Sequence, residues 1–178
     1  MSVRVIVPSL PVISLADAKV FLRVDHEDDD TMISSLIVAA QSEIDGPNGW
    51  LGRAIGPQTL EATFGGFCRW MPLPYPELTG IVSVTYLDSD GTSQTASASL
   101  YEMAEGGLRL KSGSSWPSAA YGCDVVRVRY TAATVLDAPA LERMMLAIKI
   151  HVRAHYDREE GPWRATFDAL LSSLRRFA

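Results

Sequence analysis

Ser14-Leu15-Ala16-Asp17-Ala18-Lys19-Val20-Phe21-Leu22-Arg23-Val24, followed by the acidic run Asp25-His26-Glu27-Asp28-Asp29-Asp30, decides the reading of this chain. Ser14 can accept from a backbone N–H two or three residues on while Asp17 reaches back, a capping box, and Leu15, Ala18 and Leu22 then share one face. A first helix is predicted to run to about Val24. A second should start within Asp28 to Thr31, because Ile33, Leu36, Ile37, Ala40 and Ile44 recur at helical spacing, and Gly46-Pro47 should end it. Beyond it comes the short segment Gly52-Arg53-Ala54-Ile55.

The period then changes from 3.6 to 2. Leu60, Ala62 and Phe64 alternate with Thr59, Glu61 and Thr63; Val82, Val84 and Tyr86 alternate with Ser83 and Thr85; Val126, Val128 and Tyr130 alternate with Arg127 and Arg129. Such runs are strands with one better-buried face. Asp88 to Gly91 is predicted to be a hairpin turn, as is Gly106-Gly107 between Tyr101–Met103 and Leu108–Leu110. A small antiparallel sheet or open barrel is expected. Pro72, Pro74 and Pro76 cannot donate ladder hydrogen bonds, so Arg69 to Leu78 reads as a crossing loop.

A helical period returns after residue 134. Pro139 suits a first turn, and Leu141, Met144, Met145, Ile148 and Val152 form an apolar stripe up to about Asp157. Gly161-Pro162 breaks it. A last helix carries Trp163, Phe167, Leu170, Leu171 and Leu174 on one side, with Arg175 and Arg176 at its negative dipole end. The predicted class is α+β: a helical bundle from the N- and C-terminal helices with an inserted small antiparallel β domain. The expected parts are 1–56 (N-terminal helices), 57–133 (β lobe) and 134–178 (C-terminal helices).

Composition removes several functions. With 178 residues, 47% hydrophobic and 21% charged, the chain is ordinary globular material able to bury ~70% of its unfolded surface. A net charge of −5 argues against a protein built to grip phosphate backbones. Cys68 and Cys123 are too few for a disulfide framework and read as unpaired buried thiols in a reducing compartment. Ser2 to Val12 lacks the apolar core of a signal peptide, and no run is long enough to span a membrane, so a soluble intracellular protein is expected.

No candidate chemistry survives inspection in full. A calcium loop starting at Asp25 would need Gly where Asp30 stands and Glu where Leu36 stands, so the carboxylates read as a solvated turn that complements the second helix. His151 and His155, four apart, could share a metal, with Asp157, Glu159 or Glu160 as a third ligand, but Val152 replaces the general-base Glu of zinc proteases. They read as polar groups at the edge of a packed helix. Gly46, Gly49, Gly52 and Gly56 match no phosphate-binding pattern, and no Ser or Cys carries a nucleophile-elbow signature. The last helix either folds back on its own core or places Trp163, Phe167, Leu170 and Leu174 in a partner's groove.

The order of the segments points further. Leu15 to Lys19, Leu22 to Asp30, Gly49 to Ile55, Gln58 to Glu61, Leu73-Pro74, Val82 to Tyr86, Asp90-Gly91, Ser115-Trp116-Pro117, Val126 to Ala132 and His155 to Glu159 together resemble the head-tail connector (adaptor) proteins of tailed phages and gene transfer agents. The likeness is to the longer subfamily with a β insertion, and covers almost the whole chain. Ala133 stands where that family usually has Gly, so the turn there can differ.

The resemblance implies a structural protein and not an enzyme, with no cofactor and no metal. It implies a ring, typically twelvefold, below the portal protein, with a stopper or tail-completion protein beneath, DNA passing through without specific binding, and no membrane. The expected locations are the host cytoplasm during assembly and then the particle neck. It also implies that Trp163, Phe167, Leu170, Leu174, Arg175, Arg176 and Phe177 dock on the portal, so that deleting Leu171 to Ala178 should abolish portal attachment while sparing the fold. Charge asymmetry suggests that Asp28, Asp29 and Asp30 of one copy meet Arg153 and Arg158 of the next. A metal-dependent hydrolase and a DNA-binding module are the alternatives.

Overall fold

The computed structural model describes residues 1–46, 49–75, 77–159 and 161–175. Two compact units are present: one of Met1–Ser9 with Ala54–Thr134, the other of Leu10–Arg53 with the chain from Val135 onward. The α+β class is as expected, and so is the helix–strand–helix order apart from a strand that precedes the first helix. Among the described residues no helix is long and apolar enough to cross a membrane.

In the helical unit, α1 (Leu15–Leu22) starts on the expected capping box: Asp17 N–H donates to Ser14 Oγ at 3.1 Å and Ser14 N–H to Asp17 Oδ2 at 3.3 Å. It stops short of Val24 because Arg23 turns left-handed at φ 62° and closes the helix with a bond to the Lys19 carbonyl. Helix α2 (Asp30–Ile44) buries Ile33, Ile37, Ala40 and Ile44, and also Gln41, whose amide accepts from Val12 N–H at 2.8 Å and donates to the Leu10 carbonyl at 3.1 Å. A polar residue on the buried face is thereby satisfied and pins the chain ahead of α1. After α2 the backbone curls back, with Gly46 N–H bonded to the Arg53 carbonyl. Gly49 fits so closely there that a Cβ would lie 2.4 Å from the Asp45 carbonyl oxygen. Pro47, half of the expected stop signal, lies outside the described residues.

Helix α3 (Ala138–Tyr156) has Asp137 as its cap, Oδ1 accepting from Ala140 N–H at 2.8 Å, and Pro139 in its first turn. Its buried face is rotated from the predicted stripe. Met144, Ile148 and Val152 are buried as expected, but Leu141 is exposed, Met145 is half-buried, and Ala140, Ala147, Ala154 and His151 take the inside. The alanines, seven apart, are small enough to let neighbouring helices approach closely. Helix α4 (Trp163–Ser172) buries Phe167 and Leu171.

The β unit holds two antiparallel sheets. The larger contains β1 (Ser2–Val7), β2 (Gln58–Phe64), β4 (Leu78–Leu87), β5 (Ser93–Thr95) and β8 (Val126–Ala132) in the order β1-β2-β8-β4-β5. The smaller contains β3 (Trp70–Pro72), β6 (Tyr101–Ala104) and β7 (Gly107–Leu110) in the order β3-β7-β6. One face of the large sheet gives the core: Leu60, Ala62, Val84, Val126, Val128 and Tyr130. The buried Tyr130 hydroxyl donates to the Pro74 carbonyl at 3.1 Å. On the opposite face Glu61, 4% exposed, bridges Arg4 at 2.6 Å and Arg129 at 2.9 Å. Burial alone would raise the Glu61 pKa, but hydrogen bonds from Arg129 and Arg4 prevail and hold it below the ordinary value.

Several expectations need correction. Strand β1, in a segment assigned to the helical part, joins the β unit, pairing with β2 from Ser2↔Thr63 onward. The proline segment is not all loop: Trp70–Pro72 forms an edge strand, where the missing Pro72 N–H costs no ladder bond. Val82 does not share the face of Val84, because a register shift between Ile81 and Ser83 leaves it exposed and brings Ile81 opposite Tyr130. Cys68 and Cys123 are free but exposed, in the loops that follow β2 and precede β8. The hairpin at Asp88 to Gly91 forms with Gly91 at φ 77°, and a second turn, Glu105-Gly106, joins β6 to β7.

Candidate functional site

The helical unit carries every described residue singled out for partner contact. At one end of α3 lies the acidic turn. Tyr156, the last residue of α3, donates its hydroxyl to Asp29 Oδ2 at 2.6 Å, and Lys19 of α1 pairs with Asp30 at 2.5 Å. The Asp29 bond raises the Tyr156 pKa, since a phenolate would face a carboxylate. Asp28, in contrast, is 94% exposed.

Arg153 and Arg158, the expected counterparts of that turn, sit close to Tyr156 in sequence, and the Tyr156–Asp29 bond brings the turn to the same end of the helix. Arg153 is engaged by Asp157 at 3.3 Å and faces Glu159 at 3.9 Å. Arg158 is exposed, with left-handed backbone at φ 53°. The acidic turn and the two arginines thus lie at the same end of α3.

The second set centres on α4. Glu43 of α2 grips two elements at once: Oε2 lies 3.0 Å from His151 Nε2 on α3, and Oε1 accepts from Arg164 on α4. Arg164 also donates to Asp168 at 3.2 Å. The rings of His151 and His155 stack with centroids 4.1 Å apart, and Trp163 meets both edge-on at 5.2 and 5.1 Å. His155 Nδ1 lies 2.9 Å from the His151 carbonyl. Burial foremost, together with His155, lowers the His151 pKa, and Glu43 opposes this incompletely. Its Nδ1 is buried with no hydrogen-bond partner, which suits a neutral ring donating from Nε2.

These contacts answer how α4 sits. Phe167 and Leu174 are buried in the unit's own core, so they are not available as anchors while α4 is folded back; Trp163 and Leu170 are half-buried. The helix end is fastened as well: Arg53 Nε donates to the Leu174 carbonyl at 2.7 Å, and the Arg175 guanidinium lies 4.7 Å from the centroid of the Trp50 ring. Arg176 and Phe177 lie outside the described residues, as does Glu160. Deleting Leu171 to Ala178 would therefore remove buried core residues as well as the chain end.

Sequence reasoning did not find Glu43 or Trp50 as members of these clusters. The available signal for Glu43 was its place near the end of α2, one residue before the buried Ile44. Among the described residues no group of three or more His, Cys, Asp or Glu side chains is arranged to hold a metal ion. His151 and His155 are committed to Glu43 and to a backbone carbonyl.

Residues 12–61 match the family described as Phage gp6-like head-tail connector protein. In fold the chain is similar to a chain of a solved structure titled "Neck of empty GTA particle computed with C6 symmetry", at TM-score 0.74 and 16% identity, covering 100% of this chain and 97% of that one. Similar coverage holds for "Virion of native gene transfer agent (GTA) particle", at TM-score 0.73 and 16% identity. It holds also for "Neck of native GTA particle computed with C12 symmetry", at 0.66 and 13%. No curated protein matches the sequence. The resemblance read from the sequence is met by both the family match and the fold, and neither supports the hydrolase or the DNA-binding alternative.

Proposed function

We infer that this chain, a head-tail connector by the family match of its N-terminal segment, acts as a structural adaptor in the neck of a phage-like particle. The observation that carries the reading is the full-length likeness in fold to a particle-neck component, joined to an independent sequence match over α1, α2 and the start of β2. The chain works by presenting surfaces. Copies form a ring below the portal protein, a stopper or tail-completion protein binds beneath, and DNA passes through the hole without specific binding. Assembly takes place in the host cytoplasm, after which the ring stays in the neck of a phage or gene transfer agent. No catalytic step is assigned.

Within this reading the portal contact falls to the end of the chain, Arg175, Arg176 and Phe177, with the exposed parts of Trp163 and Leu170 beside it. Aromatic and arginine side chains suit such anchoring. Asp28 and Arg158, both exposed, are available to neighbouring components. The test is deletion of the gene followed by electron microscopy of particles. Filled heads lacking tails, restored by the full chain in trans, are expected; normally tailed particles would overturn the reading. Removing only residues 176–178, with Arg175→Ala, keeps Leu171 and Leu174 in place and should abolish portal co-purification while the fold persists.

A further inference from the structure

We propose that adjacent copies of this chain meet through a knob made by Met32 beside Asp28 and a groove between α1 and α3 lined by Phe21 and Leu146 and rimmed by Arg143 and Lys149. This deepens the ring reading above and rests on it.

The groove has a volume of about 310 Å³ and lies along the N-terminal half of α3. Leu146 is 41% exposed on it, an apolar side chain with no cover of its own. Its charged lining is Arg143 and Lys149 against the carboxylate of Glu142, and Lys149 also acts on Asp17 of α1, so the rim is mixed, with two cations to meet an incoming acidic turn. The knob has the complementary make-up. Met32, in the first turn of α2, is 46% exposed, and the turn just before it carries Asp25, Glu27 and Asp28, all exposed. An unbranched thioether side chain adapts to an irregular apolar groove, and flanking carboxylates facing Arg143 and Lys149 would fix the register.

The acidic turn and the groove lie on different flanks of α1. Lys19 reaches Asp30 and so faces the acidic turn; Phe21, two residues on, is ~200° further round the helix and faces the groove. A patch that meets a different patch makes a heterologous contact, which propagates from copy to copy and can close as a ring, where a self-matching patch would stop at two. It also gives the acidic turn basic partners, Arg143 and Lys149, away from its own end of α3.

The experiment uses the full chain with Cys68→Ser and Cys123→Ser, carrying Met32→Cys and Leu146→Cys, oxidised in solution and in assembled particles. A ladder of disulfide-linked copies that ends at the ring size is expected, and neither single cysteine variant should give one. Without added cysteines, Arg143→Glu with Lys149→Glu should lower the ring fraction by roughly tenfold at equal concentration. Asp28→Lys should restore part of it, as read by native mass spectrometry. A parent chain that forms no ring even in particles overturns the ring reading itself. Rings that form normally, without the Met32–Leu146 link and despite the charge reversal, overturn this contact alone.

Discussion

Arg53 donates its Nε–H to the backbone carbonyl of Leu174, 121 positions later, at 2.7 Å. The carbonyls at the end of a helix have no intrahelical partner, and here a guanidinium from the loop after α2 serves one beyond α4. Arg53→Ala should lower the unfolding free energy by about 1–2 kcal/mol and speed amide exchange at Leu171 to Arg175. Unchanged exchange there would show that the bond contributes nothing.

His151 makes the helical unit acid-sensitive. Its folded pKa lies below the ordinary 6.5 because the ring is buried. Above 6.5 the ring is neutral in both states and the stability is fully present. As pH falls below 6.5 the unfolded chain takes up a proton that the folded chain refuses, and stability declines until the folded ring is protonated too. Denaturant midpoints at pH 7.5, 6.5 and 5.5 should fall with acidity, and His151→Gln should flatten the slope. Parallel slopes for the two proteins would remove His151 from the account.

Phe167 is fully buried on α4 and carries the Arg164 guanidinium 5.3 Å from its ring centroid. Phe167→Ala should cost about 3–5 kcal/mol through the cavity it leaves. The helical unit should then melt early in a thermal scan; a loss below about 1 kcal/mol would mean that α4 contributes little to the core.

Glu61 bridges Arg4 and Arg129 from a buried position in β2. Glu61→Gln leaves two guanidiniums without their carboxylate and should cost about 2–3 kcal/mol, less than for a fully enclosed ion pair because both arginines reach solvent. The depressed carboxyl gives stability that is present above its ordinary pKa of 4.5 and lost as pH falls through the lower folded value. Acid titration of parent and variant should therefore converge at the low end.

Much of the fold could be read from local chemistry. Ser14 and Asp17 form their capping box because both partners lie within four residues, and Asp137 with Pro139 starts α3 for the same reason. What could not be read depends on distant partners. The alternation predicts Val82 on the core face, but the bulge opposite Tyr130 turns it outward, and bulges leave no mark in a period-2 pattern. Strand β1 was short and its partner, β2, lay far along the chain. Hydrophobicity favours leucine and so predicts Leu141 on the core face, whereas close helix packing selects Ala140 and Ala147. For the candidate site, the family segments were legible, but whether α4 was folded back was not, since Trp163 and Phe167 suit an internal seam and a partner's groove equally well.

Pro72 has one more consequence. It sits at the end of β3 on the open border of the smaller sheet, opposite Gly107. A foreign strand approaching that border finds an imide in place of a donor, so it cannot continue the ladder there. Along that border the residue therefore acts as a built-in guard against runaway β-stacking between copies of the chain.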